Sequence, residues 1–247
     1  MFRKAFSRIT LVSALFASLA AVSPANAQTS EDGWQVTVAP YVWGAALEGT
    51  AAVRGLEADI DLSASDIFED LELGFTGMAV ARKGDWGLVG DVVYVGLGQT
   101  LAAPPADVDV SLSLVTLQGL RRLSEVADLT FGARWNQVEG EIDLKAPIRM
   151  NAKRTRDWVD PVVGVALHTP GGRRWHATLI ADVGGFGAGS DLSWQVFPSA
   201  GYQLSERASI EVGWRFLDTD YEDGEGADRF AYDTQLSGPA VGLTFEF

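Results

Sequence analysis

Regular alternation of apolar and polar side chains over many short segments is the feature that most restricts the fold of this chain. From Ser209 to Phe216, isoleucine, valine, tryptophan and phenylalanine form one face, while serine, glutamate, glycine and arginine form the other. A period of two indicates a β-strand with two unlike faces. The same division recurs over residues 129–136 and 175–183. Lipid or a protein core must cover such bulky apolar faces.

The N-terminus has the features of an export signal. Three basic residues among the first eight precede an apolar run over residues 9–22, and Ala-Asn-Ala at 25–27 offers a cleavage site. The run is shorter than the roughly 20 residues of a membrane-spanning helix. We therefore predict a signal peptide over residues 1–27 and a mature chain over residues 28–247. Since no later stretch resembles a spanning helix, a place in a membrane requires a closed sheet.

Composition excludes several functions. The chain has no cysteine, so it has no disulfide framework, thiolate nucleophile or cysteine metal site. Its net charge of −14 argues against a nucleic-acid partner, because phosphate binding needs clustered positive charge. Neither a nucleotide-binding glycine loop nor the spacing of a calcium loop is present in the right context. We therefore predict no cofactor and no metal.

Turn-forming residues divide the mature chain into hairpins. Short polar breaks lie at 83–85, 124–127, 169–172 and 205–207, and longer connections at 100–107, 146–156, 184–191 and 220–229. Short turns at one end and long loops at the other are typical of a transmembrane barrel. The resulting strands are 34–48, a return ending near 82, and four hairpins: 86–99 with 108–123, 128–145 with 157–168, 174–184 with 192–204, and 208–221 with 230–247.

The predicted fold is all-β, a single antiparallel up-and-down transmembrane barrel with ten strands. The first return contains a helix-start pattern, so we predict a short helical insert near 65–71. A full interruption there would give eight or twelve strands. A soluble sandwich also has amphipathic strands. However, the polar faces here carry mostly glycine, serine, threonine and glutamine with isolated charges, which suits a narrow lumen.

Two segments reverse the phase of their apolar residues. In 108–114 and 138–144, the apolar residues are at even-numbered positions. In the rest of the same strands, the even-numbered positions are mostly polar and the odd-numbered ones mostly apolar. We infer that these strands continue beyond the bilayer, where polar residues face water and apolar residues pack inward as a cap. Such a cap either closes the pore or lines a pocket for an apolar ligand.

Strand parity also predicts a polar network in the lumen. Opposite charges in a narrow lumen should pair, because an unpaired buried charge is costly. The network is therefore either a salt-bridged plug or a selective conduction path. Its predicted members are Arg82, Asp91, Gln118, Arg134, Asp160, His176, Asp182, Gln195, Glu211, Arg215 and Glu246.

Catalytic groups are scarce. The chain has two histidines, and the candidate histidine–carboxylate pair on one strand face is His176 with Asp182. Six residues along a strand separate them by about 20 Å, which is too far for a hydrogen bond. We therefore predict that the protein is not an enzyme and has no catalytic residues.

Taken as a whole, the mature chain resembles uncharacterised outer-membrane β-barrel proteins of Gram-negative bacteria. The segments that carry the resemblance are Ala39 to Trp43, Asp160 to Gly164, Val183 to Gly187, Gly213 to Asp218 and the closing strand Val241 to Phe247. The resemblance implies a barrel in the outer membrane and provides no catalytic residues.

Several further expectations accompany that resemblance. Phe245 and Phe247 resemble the C-terminal signal read by the barrel-assembly machinery. The expected partners are outer-membrane lipid and lipopolysaccharide, with the assembly machinery and periplasmic chaperones during biogenesis. The leading function is a structural role or a small, mostly closed channel. The alternatives are uptake or binding of a small solute through the extracellular cap, and an outer-membrane lipid-modifying hydrolase.

Overall fold

A computed structural model describes residues 33–53, 56–102, 105–145, 150–170 and 174–247. The predicted signal peptide, residues 1–27, lies outside these ranges. The elements in chain order are β1 (Gln35–Trp43), β2 (Ala46–Val53), β3 (Leu56–Leu62), α1 (Ala64–Glu69), β4 (Leu71–Lys83), β5 (Trp86–Ala102), β6 (Pro105–Ser124), β7 (Ala127–Leu144), β8 (Met150–His168), β9 (Trp175–Gly185), β10 (Leu192–Ser205), β11 (Ala208–Asp223), a 3-10 turn (Gly226–Asp228) and β12 (Phe230–Glu246).

The barrel wall is a closed ring of ten antiparallel strands. Sequential neighbours pair from β4 to β12, and β1 closes the ring between β12 and β4. After a break at Gly44 and Ala45, β2 continues along β12, and β3 pairs with the other edge of β2. The predicted ten-stranded barrel is confirmed. Twelve strand segments are present in the described chain because β2 and β3 form an extra hairpin above the ring.

The predicted helical insert is present as α1. Ser63 is its N-cap, and the Ser63 and Asp66 side chains satisfy each other's backbone N–H groups in a capping box. The helix begins one residue before the predicted segment and ends two residues before its end. With the short-turn end of the barrel taken as the bottom, α1 joins the lower end of β3 to the upper end of β4.

Strand lengths differ at the two ends of the barrel. Two-residue turns close three hairpins at one end, at Gly84, at Glu125 and at Glu206. At the other end, β6 with 20 residues and β8 with 19 residues far exceed the roughly 9–11 residues that cross a bilayer. Residues 100–107 and 146–156 were predicted as loop connections, but many of them belong to paired strands. Charged side chains on the outer face are compatible with strands that continue into water.

An apolar belt surrounds the wall. Outward side chains that alternate with the lumen residues are exposed, among them Leu117, Phe131, Val159, Val212 and Val241. Trp34, Trp86 and Trp175 are exposed near the short-turn end, as expected for an interfacial girdle. Among the described residues, no helix has the length and apolarity needed to cross a membrane.

Candidate functional site

Arg134 is the centre of a buried polar layer in the lumen. It is fully buried on β7 and donates from Nη2 to Asp182 Oδ1 on β9, at 2.7 Å. Its Nη1 donates to Ser193 Oγ at 3.0 Å, and its Nε donates to Thr116 Oγ1 at 3.2 Å. Its partners lie on β6, β9 and β10, so the guanidinium reaches across the lumen and not only along the wall.

Arg215 forms a second centre within the same layer. From β11 it donates through Nη2 to Asp91 Oδ2 at 2.6 Å, and through Nε to Gln195 Oε1 at 2.9 Å. The Tyr41 hydroxyl donates to Asp91 Oδ1 at 2.7 Å and accepts a short bond from Arg215. Gln195 Nε2 then donates to Asp182 Oδ2 at 3.1 Å. The two arginine centres therefore form one continuous network.

Asp160 is held by groups from another part of the chain. Its Oδ2 accepts from Asn136 Nδ2 at 2.9 Å. The turn after β9 supplies the other contacts, because Ser190 donates to Asp160 from its backbone N–H at 2.6 Å and from Oγ at 3.0 Å. Trp158 Nε1 donates to Ser190 Oγ at 2.8 Å. The carboxylate is fully buried, so these donors replace its hydration.

Two separate contacts between a basic side chain and a carboxylate occupy the short-turn half of the barrel. Arg82 binds the Asp128 carboxylate with both terminal nitrogens, at 3.0 and 2.5 Å. His168 Nδ1 lies 3.9 Å from Asp128 Oδ2. His176 Nε2 and Glu211 Oε1 lie 2.5 Å apart. These pairs lie apart from the bonds that link the two arginine centres.

Most of the predicted lumen residues enter these contacts. The continuous network holds Asp91, Arg134, Asp182, Gln195 and Arg215, and Asn136 links it to Asp160 through a long bond of 3.4 Å to the Arg134 carbonyl. Arg82, His176 and Glu211 form the separate pairs described above, and two predicted residues make none of these contacts. Gln118 is buried, but its Nε2 has no partner among the described residues. Glu246 lies exposed at the short-turn rim.

The predicted set omitted several residues that make these lumen contacts. Asn136 and Asp128 share the parity of Arg134 on β7, and Tyr41 shares that of Trp43, so strand alternation contained the signal for all three. Ser190 carried no such signal because it lies in a turn. Among the described residues, no cluster of three or more histidine or acidic side chains is arranged to hold a metal ion.

An apolar pocket lies in the outer half of the barrel, beyond the polar network. Its volume is about 620 Å³. Apolar side chains dominate its lining, including Trp43, Leu47, Val95, Leu112, Tyr232 and Leu236. The phase reversal in 108–114 and 138–144 produces part of this lining, because Leu112 and Val138 point inward. Charged residues from β6 to β8 and the segment before β12 also line it: Asp109, Glu139, Glu141, Arg154, Arg156, Asp228 and Arg229.

Trp43 separates the pocket from the polar network. The Arg215 guanidinium carbon lies 4.9 Å from the centre of the Trp43 ring, a distance typical of a cation–π contact. Trp43 lines the pocket, whereas Arg215 does not. Trp43 thus forms the floor of the pocket. A compact apolar cluster lies beside it and consists of Ala45, Val93, Leu114, Leu217 and Leu236. The outer pocket therefore has an apolar base, even though a charged layer lies directly below it.

A smaller cavity of about 220 Å³ lies on the other side of the network. Its lining includes Tyr41, His176, Phe197 and Glu211. The lumen is therefore divided into two spaces by side chains that are almost completely buried. In the dividing layer, Arg134 and Asp160 are 0% exposed and Arg215 is 1% exposed.

No protein-family model matches the chain, and no curated protein sequence matches it. Solved structures are similar at low identity. The outer membrane protease OmpT from Escherichia coli is 8% identical, over 87% of this chain and 97% of that one, with a TM-score of 0.49. The attachment invasion locus protein Ail of Yersinia pestis is 12% identical, over 87% and 99%, with a TM-score of 0.44. Neisserial surface protein A is 11% identical, over 88% and 98%, with a TM-score of 0.34.

Identity this low carries no information about activity. The fold follows from the chain's own geometry. A closed ring of strands leaves no unpaired sheet edge through most of the wall, and the outward side chains form an apolar belt. The protein is a closed ten-stranded antiparallel β-barrel whose outer surface carries the apolar belt of a membrane-spanning barrel.

Proposed function

We propose that the protein binds a small apolar solute in the outer half of its barrel, above a lumen that the buried network keeps closed to ions. The outer pocket carries this proposal. Its volume of about 620 Å³ lies within the roughly 300–1,000 Å³ of small-molecule sites. Of the two roles open for the inward cap, a ligand pocket accounts for this volume better than simple closure.

The size of the pocket is the physical reason. Protein interiors leave few voids larger than a water molecule, because an empty apolar space forfeits dispersion contacts on all its walls. Val93 and Leu114 are tightly buried at the base of the pocket, so the barrel is able to pack this region closely. The space above them is therefore best explained as room for a ligand.

A space-filling variant tests the proposal. Gly140 lines the pocket, and a Cβ built on it has no neighbour within 4 Å. Gly140→Phe therefore places a ring in the pocket without a clash at the Cβ atom. Gly90 has the same open surroundings but lies next in sequence to inward-facing Asp91, so its side chain would face lipid. Gly90→Phe is therefore the matched control.

The measurement is fluorescence titration of the refolded protein in lipid vesicles with 1-aminoanthracene. We expect saturable binding by the wild type and by Gly90→Phe, and at least a tenfold weaker affinity for Gly140→Phe. If the wild type shows no saturable binding, the proposal is wrong. It is also wrong if Gly140→Phe binds as tightly as the wild type.

The closed lumen has its own test. The continuous network replaces water with paired charges, and ions crossing it would have to break Arg134–Asp182 or Arg215–Asp91. We expect no single-channel openings when the wild-type protein is inserted into a planar bilayer. Regular openings would refute closure, whatever the result of the binding titration.

Binding without catalysis is the remaining part of the proposal. Asp182, the carboxylate on the face of His176, is bound by Arg134 and Gln195. His176 is paired with Glu211 at the short-turn half, away from the outer pocket. Mass spectra of lipid A from cells with and without the protein should be the same. A difference that depends on His176 would support the hydrolase alternative.

A further inference from the structure

The wall of the barrel has an interruption beside the outer pocket. The ladder between β1 and β4 ends at Pro40 and Gly77. The Thr76 hydroxyl still donates to the Tyr41 carbonyl. Above that contact, the described ladders give residues 42–46 and 71–74 no backbone pairing with each other. We call the space between these two segments the seam window.

The neighbouring strands explain why the window exists. The segment 42–46 runs alongside β12 and pairs with it, and β4 pairs with β5 as far as Leu71. Each side of the window is therefore hydrogen-bonded to a neighbouring strand on the edge that faces away from the window. Above the window, β3 pairs with β2 from Leu62 upward. Since α1 runs from the lower end of β3 to the upper end of β4, it closes the top of the window.

The window lies at the outer part of the apolar belt. Val42 is 62% exposed and Leu73 is 43% exposed on its two sides. Val241 on the adjacent β12 and Trp214 on β11, one strand further along the wall, are also exposed and face outward. Large apolar side chains around the window are compatible with lipid and unfavourable in water. The seam window is therefore level with the outer leaflet.

Helix α1 covers the window with few fixed contacts. Phe68 is 50% exposed, and its Cε2 atom would lie 3.5 Å from a Cβ built on Gly44. Ile67, the preceding residue, lines the outer pocket. No residue of α1 is buried. Few buried contacts are a property of elements that open at low free-energy cost.

An apolar path thus runs from the pocket to the lipid. Ile67, Trp43 and Ala45 line the pocket on its inner side, and Phe68 and Val42 lie on the outer side. The opposite direction is blocked, because the floor is the buried network around Arg134 and Arg215. Unpaired backbone at membrane depth is tolerated only where protein or a cavity covers it. The seam window meets this condition because it opens on the pocket.

We propose that the solute passes between the outer pocket and the outer leaflet through the seam window, with α1 as its cover. This inference rests on the proposed binding function. It gives the barrel a transfer activity towards lipid, in place of conduction across the membrane. The solute class is a molecule apolar enough to partition into the bilayer, since the path offers apolar side chains at each step.

Cross-linking tests the path directly. The chain contains no cysteine, so Gly44→Cys with Phe68→Cys provides the two thiols of the protein, and a short bismaleimide joins α1 to the wall. The control pair is Asp218→Cys with Gln235→Cys, which face each other on β11 and β12, where the strands are already paired. The measurement is the dissociation rate of 1-aminoanthracene from protein in lipid vesicles, followed by stopped-flow fluorescence.

We expect the cross-link between residues 44 and 68 to slow dissociation at least tenfold, and the control cross-link to leave the rate within twofold. Equilibrium affinity should change less than twofold in both proteins, since the pocket itself is unaltered. Phe68→Ala, at an exposed position, should speed dissociation severalfold without any reagent. Unchanged rates in both the cross-linked protein and Phe68→Ala would overturn the window while leaving the binding proposal intact. Absence of binding in the wild type would instead overturn the proposed function.

Discussion

Arg134 and Asp182 form a 2.7 Å ion pair between strands that are not neighbours in the sheet. Arg134 lies on β7 and Asp182 on β9, with β8 between them, and both side chains are 1% exposed. A pair of this kind spans the interior of the barrel. Its contribution depends on both charges being present, because either one alone would be buried without compensation.

The pair predicts strong coupling between its two members. Arg134→Met should lower the free energy of unfolding by about 3–5 kcal/mol, because it leaves Asp182 buried and unpaired. Arg134→Met with Asp182→Leu should lose clearly less than the sum of the two single losses. The free energy of unfolding of the wild type, the two single variants and the double variant is measured by urea unfolding from vesicles, followed by tryptophan fluorescence. Additive losses would contradict a direct pair.

Two glycines on the same face of β7 should respond differently to alanine. A Cβ on Gly132 would overlap the Leu117 carbonyl oxygen and lie 2.6 Å from the Gln118 Cα, whereas Gly140 has nothing within 4 Å. The obstacle at Gly132 is backbone, which shifts only at a cost. Gly132→Ala should therefore lose about 1–3 kcal/mol of unfolding free energy. Gly140→Ala should stay within about 0.5 kcal/mol of wild type, and equal losses would refute the packing argument.

The acidic pair Asp220 and Asp233 should make stability depend on pH. The two residues are opposite each other on β11 and β12, beyond the apolar belt. Burial first, and then the carboxylates of Asp233 and Asp191, raise the pKa of Asp220. For a carboxyl group with a raised native pKa, the folded state binds the proton more tightly, so stability falls as pH rises through that pKa.

Asp220→Asn should accordingly stabilise the barrel at pH 7, by less than about 1 kcal/mol. The gain should shrink as the pH falls towards about 4, where the unfolded carboxyl group also takes up its proton. Asp59→Asn is the control, because Asp59 is opposite Thr50 and not another carboxylate. Thermal unfolding at several pH values gives the comparison. A gain that is constant with pH would exclude the repulsion.

Phe247 should matter more for assembly than for stability. Its ring is 63% exposed, and its backbone N–H donates to the Val36 carbonyl at 2.8 Å where β1 closes the ring. Deleting it removes this bond and the weaker return bond, each worth about 0.5–1.5 kcal/mol. We expect a much larger loss of heat-modifiable barrel in cells than in refolding from urea. Phe247→Tyr, which keeps a terminal aromatic ring, is the control, and equal losses in both assays would refute the assembly role.

Strand parity explains how much of the lumen was predictable. Arg134, Asp182 and Arg215 were assigned inward from the sequence because the alternation of side chains does not depend on which strands pair. Their partners depend on positions around a closed ring, which parity does not contain. Gln118 illustrates the difference, since it points inward but its amide nitrogen has no described partner.

The outer half was predictable only in outline. Phase reversal indicated an inward apolar cap, because the outside of a sheet beyond the bilayer faces water. The pocket volume depends also on the β2–β3 hairpin and α1, whose positions follow from pairing with β12. The extent of β6 and β8 was underestimated, because charged residues such as Asp107 and Lys153 are usual in loops. Here they form strand faces exposed to solvent.

Unequal strand lengths determine how the pocket meets the cell exterior. β6 and β8 have 20 and 19 residues, whereas β9 on the far side of β8 has 11. The rim is therefore high on one flank and low on the other. On the low flank, the turn after β9 lies at the level of the polar network, where the Ser190 backbone N–H donates to Asp160. Over its described residues, the high flank presents hydrogen-bonded sheet to the surroundings, so that part of the chain offers few suitable segments to proteases and antibodies that require pliable loops.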